Sequence, residues 1–137
     1  MLICCVIALL FCITGNAKVP YIPKIINYSV SDYKAGNQNW AVSQGPGGKM
    51  YIGNNRGLLV FDGIHWDLVK LPNNLGVRAL YISKDGRIYV GSFEEFGYFE
   101  MDDENDLIYH SLSSSEMNVY LNNDEFWTIN EYKGEIY

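Results

Sequence analysis

The sequence predicts an all-β fold made of repeated four-stranded units, and three observations support this class. Aromatic residues make up 15% of the 137 residues, and there are 13 glycines. This composition is typical of strands joined by tight turns. Short alternating runs recur along the chain, whereas no segment sustains the periodicity of an amphipathic helix. The third observation is that one pattern of strands and turns occurs more than once.

The candidate strands fall into three consecutive sets, separated by turn-forming residues such as Gly, Asn, Asp and Pro. The first set comprises residues 40–43, 50–53, 58–61 and 66–70. The second comprises residues 78–82, 87–91, 97–100 and 107–110, and the third comprises residues 126–130 and 135–137.

The sets are copies of one unit. Residues 48–53 read G-K-M-Y-I-G, and residues 86–91, which begin 38 positions later, read G-R-I-Y-V-G. A third copy, G-E-I-Y, begins at Gly134, 48 positions after Gly86, so the connection before it is about ten residues longer. Four short strands in roughly 40 residues are typical of a β-propeller blade. Stacked blades bury the faces that one sheet alone would leave exposed.

The predicted organisation has five parts. Residues 1–17 are a signal peptide, and residues 18–38 are a leader or a propeller-closing strand. Residues 39–76 form blade 1, and residues 77–122 form blade 2 with a long acidic and Ser/Asn-rich connection. Residues 123–137 begin a truncated blade 3. A propeller closes with about four to eight blades, so we expect an N-terminal fragment of a larger propeller.

The first 17 residues contain no charged side chain. Their apolar core, residues 2–13, is shorter than the roughly 20 residues of a transmembrane helix and suits a signal peptide. Small residues at positions 15 and 17 favour cleavage before Lys18. All three cysteines lie in this segment, so the exported chain is expected to have neither a disulfide nor a cysteine-based metal site.

The charges are uneven: residues 18–93 carry nine basic and four acidic residues, and residues 94–137 carry one basic and twelve acidic residues. Without a basic cluster, this segment is not expected to bind nucleic acid. The only histidines, His65 and His110, fall in different repeats. Glu94 and Glu95 are neighbours that point to opposite faces of a strand, which disfavours a catalytic pair. We expect no enzymatic activity, metal or cofactor.

The candidate ligand contacts lie in loops that share one face of the propeller. They are Asn54, Asn55, Arg56, Phe93 and Glu94, with the Asn73-Asn74 turn beside them. Amide, guanidinium, carboxylate and aromatic groups suit hydrogen bonding to a sugar and stacking on it. The alternative is that these loops only turn the chain. Trp40, Trp66 and Trp127 are interpreted as packing between blades rather than as sugar platforms.

Several segments resemble the start of the two-component-regulator-propeller sensors that are typical of the Bacteroidetes. They include I-N-Y-S at residues 26–29, A-G-N-Q-N-W at 35–40, M-Y-I-G-N-N at 50–55 and F-D-G at 61–63. The resemblance covers residues 20–137, nearly all of the exported chain. It implies a periplasmic propeller that senses a ligand, often a glycan fragment.

The resemblance also implies parts that follow the propeller in such sensors. These are a three-tyrosine domain, a transmembrane helix, and either a hybrid histidine kinase or a LuxR-type helix-turn-helix output. The implied partners are an oligosaccharide, the remaining blades of the longer chain and a second copy in a homodimer. Two alternatives stay open: part of a secreted propeller hydrolase or lyase whose catalytic residues are missing, and a truncated gene product without function.

Overall fold

The computed structural model describes residues 22–113, 121 and 123–137. The predicted signal peptide with its three cysteines and most of the Ser/Asn-rich connection lie outside these residues. Within the described ranges, no helix is long and apolar enough to cross a membrane.

Blade 1 is a four-stranded antiparallel sheet in which each strand pairs with the next along the chain. Its strands are β1 (Asn39–Gln44), β2 (Met50–Asn54), β3 (Gly57–Phe61) and β4 (Trp66–Val69). Blade 2 repeats this topology with β5 (Ala79–Ile82), β6 (Ile88–Gly91), β7 (Phe96–Met101) and β8 (Leu107–Ser111). The register is also repeated, since Tyr51 lies opposite Ser43 and Tyr89 lies opposite Tyr81. The prediction of two complete propeller blades is confirmed.

The third unit differs from its prediction. Its hairpin consists of β9 (Glu131–Tyr132) and β10 (Glu135–Ile136), and residues 126–130 are not a strand. Asn130 and Tyr137 exchange two backbone hydrogen bonds of 2.8 Å, which extend the ladder of this hairpin by one residue pair. The strand predicted over residues 126–130 is therefore corrected: within it, only Asn130 takes part in the ladder of the hairpin.

The leader contains helix α1 (Val30–Tyr33) and no strand among residues 22–38, so the propeller-closing strand predicted as an alternative is not present in this range. Ser29 caps α1, and its backbone N–H donates to the Asp32 carboxylate at 2.6 Å. Tyr33 and Ala35 pack with Ile52 and Leu59 on the face of blade 1 that points away from blade 2. The leader therefore covers the first blade.

The main core lies between the two blades. Blade 1 contributes Tyr51, Leu58, Val60 and Leu71, and blade 2 contributes Val77, Ile88, Val90 and Phe99. Each large apolar side chain removed from water stabilises the fold by about 1.5–3 kcal/mol. Stacking of blades is thus the main source of the buried surface.

The glycine that ends each copy of the motif allows the next blade to approach. A Cβ on Gly53 would lie 2.9 Å from Val77 Cγ1, and a Cβ on Gly91 would lie 2.6 Å from Phe126 Cβ. Both distances are shorter than ordinary van der Waals contact. The entering chain also forms backbone hydrogen bonds here, from Val77 N to Asn54 O at 2.9 Å and from Phe126 N to Ser92 O at 3.0 Å.

Candidate functional site

The loops after β2 and β6 meet the connections between blades at one end of the sheets. We call this end the rim and define it as residues 38–40, 54–56, 72–78, 92–95 and 123–127. Ser92 is buried and donates its hydroxyl to Gly76 O at 2.6 Å. Phe93 pairs with Glu125 in an isolated antiparallel bridge. These contacts place the loops side by side, as the repeat predicted.

A cleft of about 410 Å³ opens on the rim between the connection of blade 1 and the β6–β7 loop. It is lined by Asn73, Leu75, Phe93, Glu94 and Glu95. Its volume lies within the range of roughly 300–1,000 Å³ that holds small ligands. The structure therefore brings the predicted residues Phe93 and Glu94 together with the Asn73 turn.

The two carboxylates of the cleft are held in place by hydrogen bonds. Glu95 Oε1 accepts from the Tyr109 hydroxyl and from the Ser111 hydroxyl, both at 2.7 Å. Burial raises the pKa of the Tyr109 hydroxyl, and the hydrogen bond to the Glu95 carboxylate raises it further. The hydroxyl therefore remains a donor at neutral pH. Glu94 Oε1 accepts from the backbone of Asn123 at 2.7 Å. Fixed carboxylates can accept hydrogen bonds from ligand hydroxyls without first becoming ordered.

Asn54 is fully buried, which corrects its prediction as a ligand contact. Its Nδ2 donates to Gly36 O at 2.7 Å, Gln38 O at 3.1 Å and Asn39 Oδ1 at 2.6 Å. Its Oδ1 accepts from the backbone of Gly36 and Arg56. Because protein groups occupy its polar atoms, Asn54 attaches the leader to blade 1 instead.

Asn55 and Arg56 lie on the rim but do not line the cleft. Arg56 is exposed. Asn55 Oδ1 accepts from Trp40 Nε1 at 2.7 Å and from Arg78 Nη1 at 2.5 Å. Of the five predicted ligand contacts, Phe93 and Glu94 therefore line the cleft, and Asn54 is buried in a structural role. The other two, Asn55 and Arg56, lie on the rim next to an aromatic cluster.

This cluster, which we call the tryptophan corner, consists of Trp40, Arg78 and Trp127. The two indoles meet edge to face, with centroids 5.6 Å apart and planes at 76°. The Arg78 guanidinium carbon lies 4.6 Å from the Trp40 centroid and 5.8 Å from the Trp127 centroid. Arg78 Nε also pairs with Glu125 Oε1 at 3.3 Å. Blades 1 and 2 and the third unit each contribute one of the three residues.

The prediction that Trp40 and Trp127 pack between blades holds in part. They contact each other and Arg78 across successive repeats, but Trp40 is 41% exposed and Trp127 is 57% exposed, so both keep an open face. Trp66 packs against Phe61, with centroids 4.3 Å apart, and against leader residues Tyr28 and Tyr33. One feature of the sequence indicates the corner: Trp40 and Arg78 lie 38 positions apart, at equivalent positions of successive repeats, so both are expected at the same end of neighbouring blades.

A larger cleft, of about 660 Å³, lies at the opposite end between the β1–β2 and β5–β6 turns. Its Arg87 already contacts Glu100 at 3.4 Å and Asp85 at 3.7 Å. Its aromatic residue, Tyr51, is buried in the core. It therefore offers no open aromatic face, whereas Phe93 at the rim is 39% exposed, and we favour the rim as the candidate site. In the described part of the chain, no three His, Cys, Asp or Glu residues are grouped as metal ligands.

In a comparison with protein families, residues 70–94 match the family described as two component regulator propeller. This segment runs from the end of blade 1 to the β6–β7 loop, and it includes Asn73, Leu75, Phe93 and Glu94 of the cleft. Neither curated proteins nor solved structures give a match.

Proposed function

We propose that this chain is the ligand-binding propeller region of an exported sensor and that the rim cleft binds an oligosaccharide. The observation that carries the proposal is the cleft itself, where Phe93, 39% exposed, stands beside Asn73, Glu94 and Glu95. The family match supports the propeller part of the proposal, because residues 70–94 match a propeller family. These residues include Asn73, Leu75, Phe93 and Glu94 of the cleft.

The chemistry of the cleft suits a sugar. A pyranose ring has apolar C–H faces and a rim of hydroxyls that donate and accept hydrogen bonds. An exposed Phe ring can cover one apolar face, while an amide and two oriented carboxylates bond the hydroxyls. A few fixed polar groups beside an apolar wall are the usual composition of a small-molecule site.

The proposed role is binding without chemistry. Hydrolysis of a glycosidic bond requires two carboxyl groups facing each other across the bond at roughly 5–9 Å. Glu94 and Glu95 are consecutive residues, and Glu95 is bonded to Tyr109 and Ser111 on its own blade. We therefore assign them to recognition. In the longer protein, binding would be relayed from the periplasm to a transmembrane regulator.

The test is a binding screen with the purified chain. Neutral oligosaccharides of two to six units, of the malto-, cello-, xylo- and manno- series, are titrated by calorimetry into wild type and Phe93→Ala. Ile64→Ala is the control, because Ile64 is 79% exposed in the β3–β4 turn at the opposite end. We expect at least one series to bind, and Phe93→Ala to weaken it about three- to tenfold through lost stacking.

Two results would overturn the proposal. One is the absence of binding by every series at millimolar concentration. The other is binding that Phe93→Ala and Ile64→Ala leave equally unchanged. Chromatography of the incubated sugars separates a sensor from an enzyme, since shortened products would contradict binding without chemistry.

A further inference from the structure

We propose that the tryptophan corner is a second sugar subsite next to the cleft, and that the ligand is a neutral oligosaccharide long enough to reach both. This inference rests on the proposed function, because it extends the same ligand along the rim. It assigns Trp127 as the stacking residue and Trp40, Arg78 and Asn55 as the residues that position it.

The exposure of the corner is the first observation. Tryptophan is highly buried on average in folded proteins, yet two half-exposed indoles here touch each other on one rim. They meet almost at a right angle, so the faces form two walls rather than a stacked pair. An exposed indole face is a good surface for the C–H face of a sugar ring.

The rigidity of the corner is the second observation. Trp40 Nε1 donates to Asn55 Oδ1 at 2.7 Å, and Arg78 Nη1 donates to the same oxygen at 2.5 Å. The guanidinium lies against both indoles and is fixed from the other side by Glu125. Rings held in this way lose little conformational freedom when a ligand binds, so less of the binding energy is spent on ordering.

The position of the corner is the third observation. Phe93 of the cleft pairs with Glu125, and Trp127 is two residues further along the chain. Two residues span at most about 7 Å, so the backbone of Trp127 lies close to the cleft. In the proposed arrangement a disaccharide occupies the cleft alone, and a ligand of several sugar units contacts Trp127 as well.

The charge of the rim selects the class of oligosaccharide. The charge of Arg78 is neutralised by its ion pair with Glu125. The other charged residues of the rim are three carboxylates, Glu94, Glu95 and Asp124, and one cation, Arg56. An anionic sugar would meet mostly carboxylates, and like charges repel. We therefore expect uncharged sugars to be favoured over those carrying uronate or sulfate groups.

The experiment compares chain lengths in wild type, Trp127→Ala and Tyr132→Ala. Tyr132 is the matched control, since it is an aromatic residue of the third unit, 63% exposed, in the hairpin away from the rim. In wild type we expect affinity to rise from the di- to the hexasaccharide. Trp127→Ala should abolish this rise, with about a five- to tenfold loss for the hexasaccharide and none for the disaccharide. Tyr132→Ala should behave as wild type.

Each alternative outcome has a distinct meaning. Wild-type binding that Trp127→Ala leaves unchanged at every chain length overturns the second subsite and leaves the cleft proposal standing. Stronger binding of an oligogalacturonate than of every neutral series overturns the neutral-ligand assignment. If no sugar binds wild type, the proposed function fails together with this inference. Trp127→Phe, which retains a ring, should recover part of the affinity and so separates loss of stacking from misfolding.

Discussion

Asn54 and Gly36 are joined by two hydrogen bonds: Asn54 Nδ2 donates to Gly36 O at 2.7 Å, and Gly36 N donates to Asn54 Oδ1 at 2.9 Å. The paired residues are 18 positions apart, and the amide side chain between them is fully buried. This pair fastens the leader over blade 1 and brings Trp40 to the start of β1 at the rim.

Replacing Asn54 with alanine should therefore destabilise the chain. The substitution removes the partners of the part-buried N–H and C=O of Gly36 and of the Arg56 N–H, at about 1–3 kcal/mol for each group that water cannot reach, whereas Gln38 O keeps its bond from Asn55 N. We expect a total loss of about 2–4 kcal/mol in urea denaturation. Asn37→Ala is the control, because Asn37 is exposed on the same segment. Equal stability of the two variants would contradict the structural role of Asn54.

A second prediction concerns the glycine that ends the motif. Alanine at position 91 would place its Cβ 2.6 Å from Phe126 Cβ and 3.0 Å from Phe126 O. We expect Gly91→Ala to cost about 2–3 kcal/mol, because the third unit must move away from blade 2. Gly47→Ala is the comparison, since Gly47 has open space around it and a φ of 70°. Gly47→Ala should lower the free energy of unfolding by only about 1 kcal/mol, which is the cost of placing alanine in the left-handed backbone region. The opposite ranking would show that blade 3 does not pack as described.

The β3–β4 turn gives a prediction about pH. Backbone N–H groups of His65 and Ile64 donate to Asp62 Oδ1 at 2.6 and 2.8 Å, and these bonds lower the pKa of Asp62 to about 2. Because the folded-state pKa is below the ordinary value of 3.8, the carboxylate stabilises the fold above that value. This contribution is lost as the pH falls towards 2. Carboxyl-detected NMR should give an Asp62 midpoint near 2, and a midpoint near 4 would contradict the turn geometry.

The sequence predicted what depends on local residues and missed what depends on distant ones. The hairpin glycines Gly48, Gly86 and Gly134 all have positive φ, as their places in the repeat required. Burial of Asn54 depends on a leader that folds back over the β2–β3 turn, and nothing in the local Asn-Asn-Arg pattern indicates this. An exposed position for Trp127 could not be read from its strand-like surroundings, because its partners Trp40 and Arg78 come from two earlier blades.

The rim should also respond to the charge of the ligand. Glu94→Gln removes one carboxylate from the cleft, but the amide oxygen can still accept the hydrogen bond from Asn123. We expect this variant to bind neutral oligosaccharides several-fold more weakly, because a neutral amide accepts hydrogen bonds less strongly than a carboxylate, and to bind uronate oligosaccharides several-fold better at low salt. Raising the ionic strength should reduce that gain. A gain that does not depend on salt would count against an electrostatic origin.

The central claim is that the rim, and not the opposite end, binds an oligosaccharide. The chain has three tryptophans, so a nitrogen–proton NMR spectrum contains three indole signals that report three separate places. On addition of a neutral hexasaccharide, the indole signals of Trp40 and Trp127 and the amide signals of Phe93 and Glu94 should shift, while the Trp66 signal should not. Shifts confined to Lys49 and Arg87, which line the cleft at the opposite end, or no shifts at all, would contradict the account.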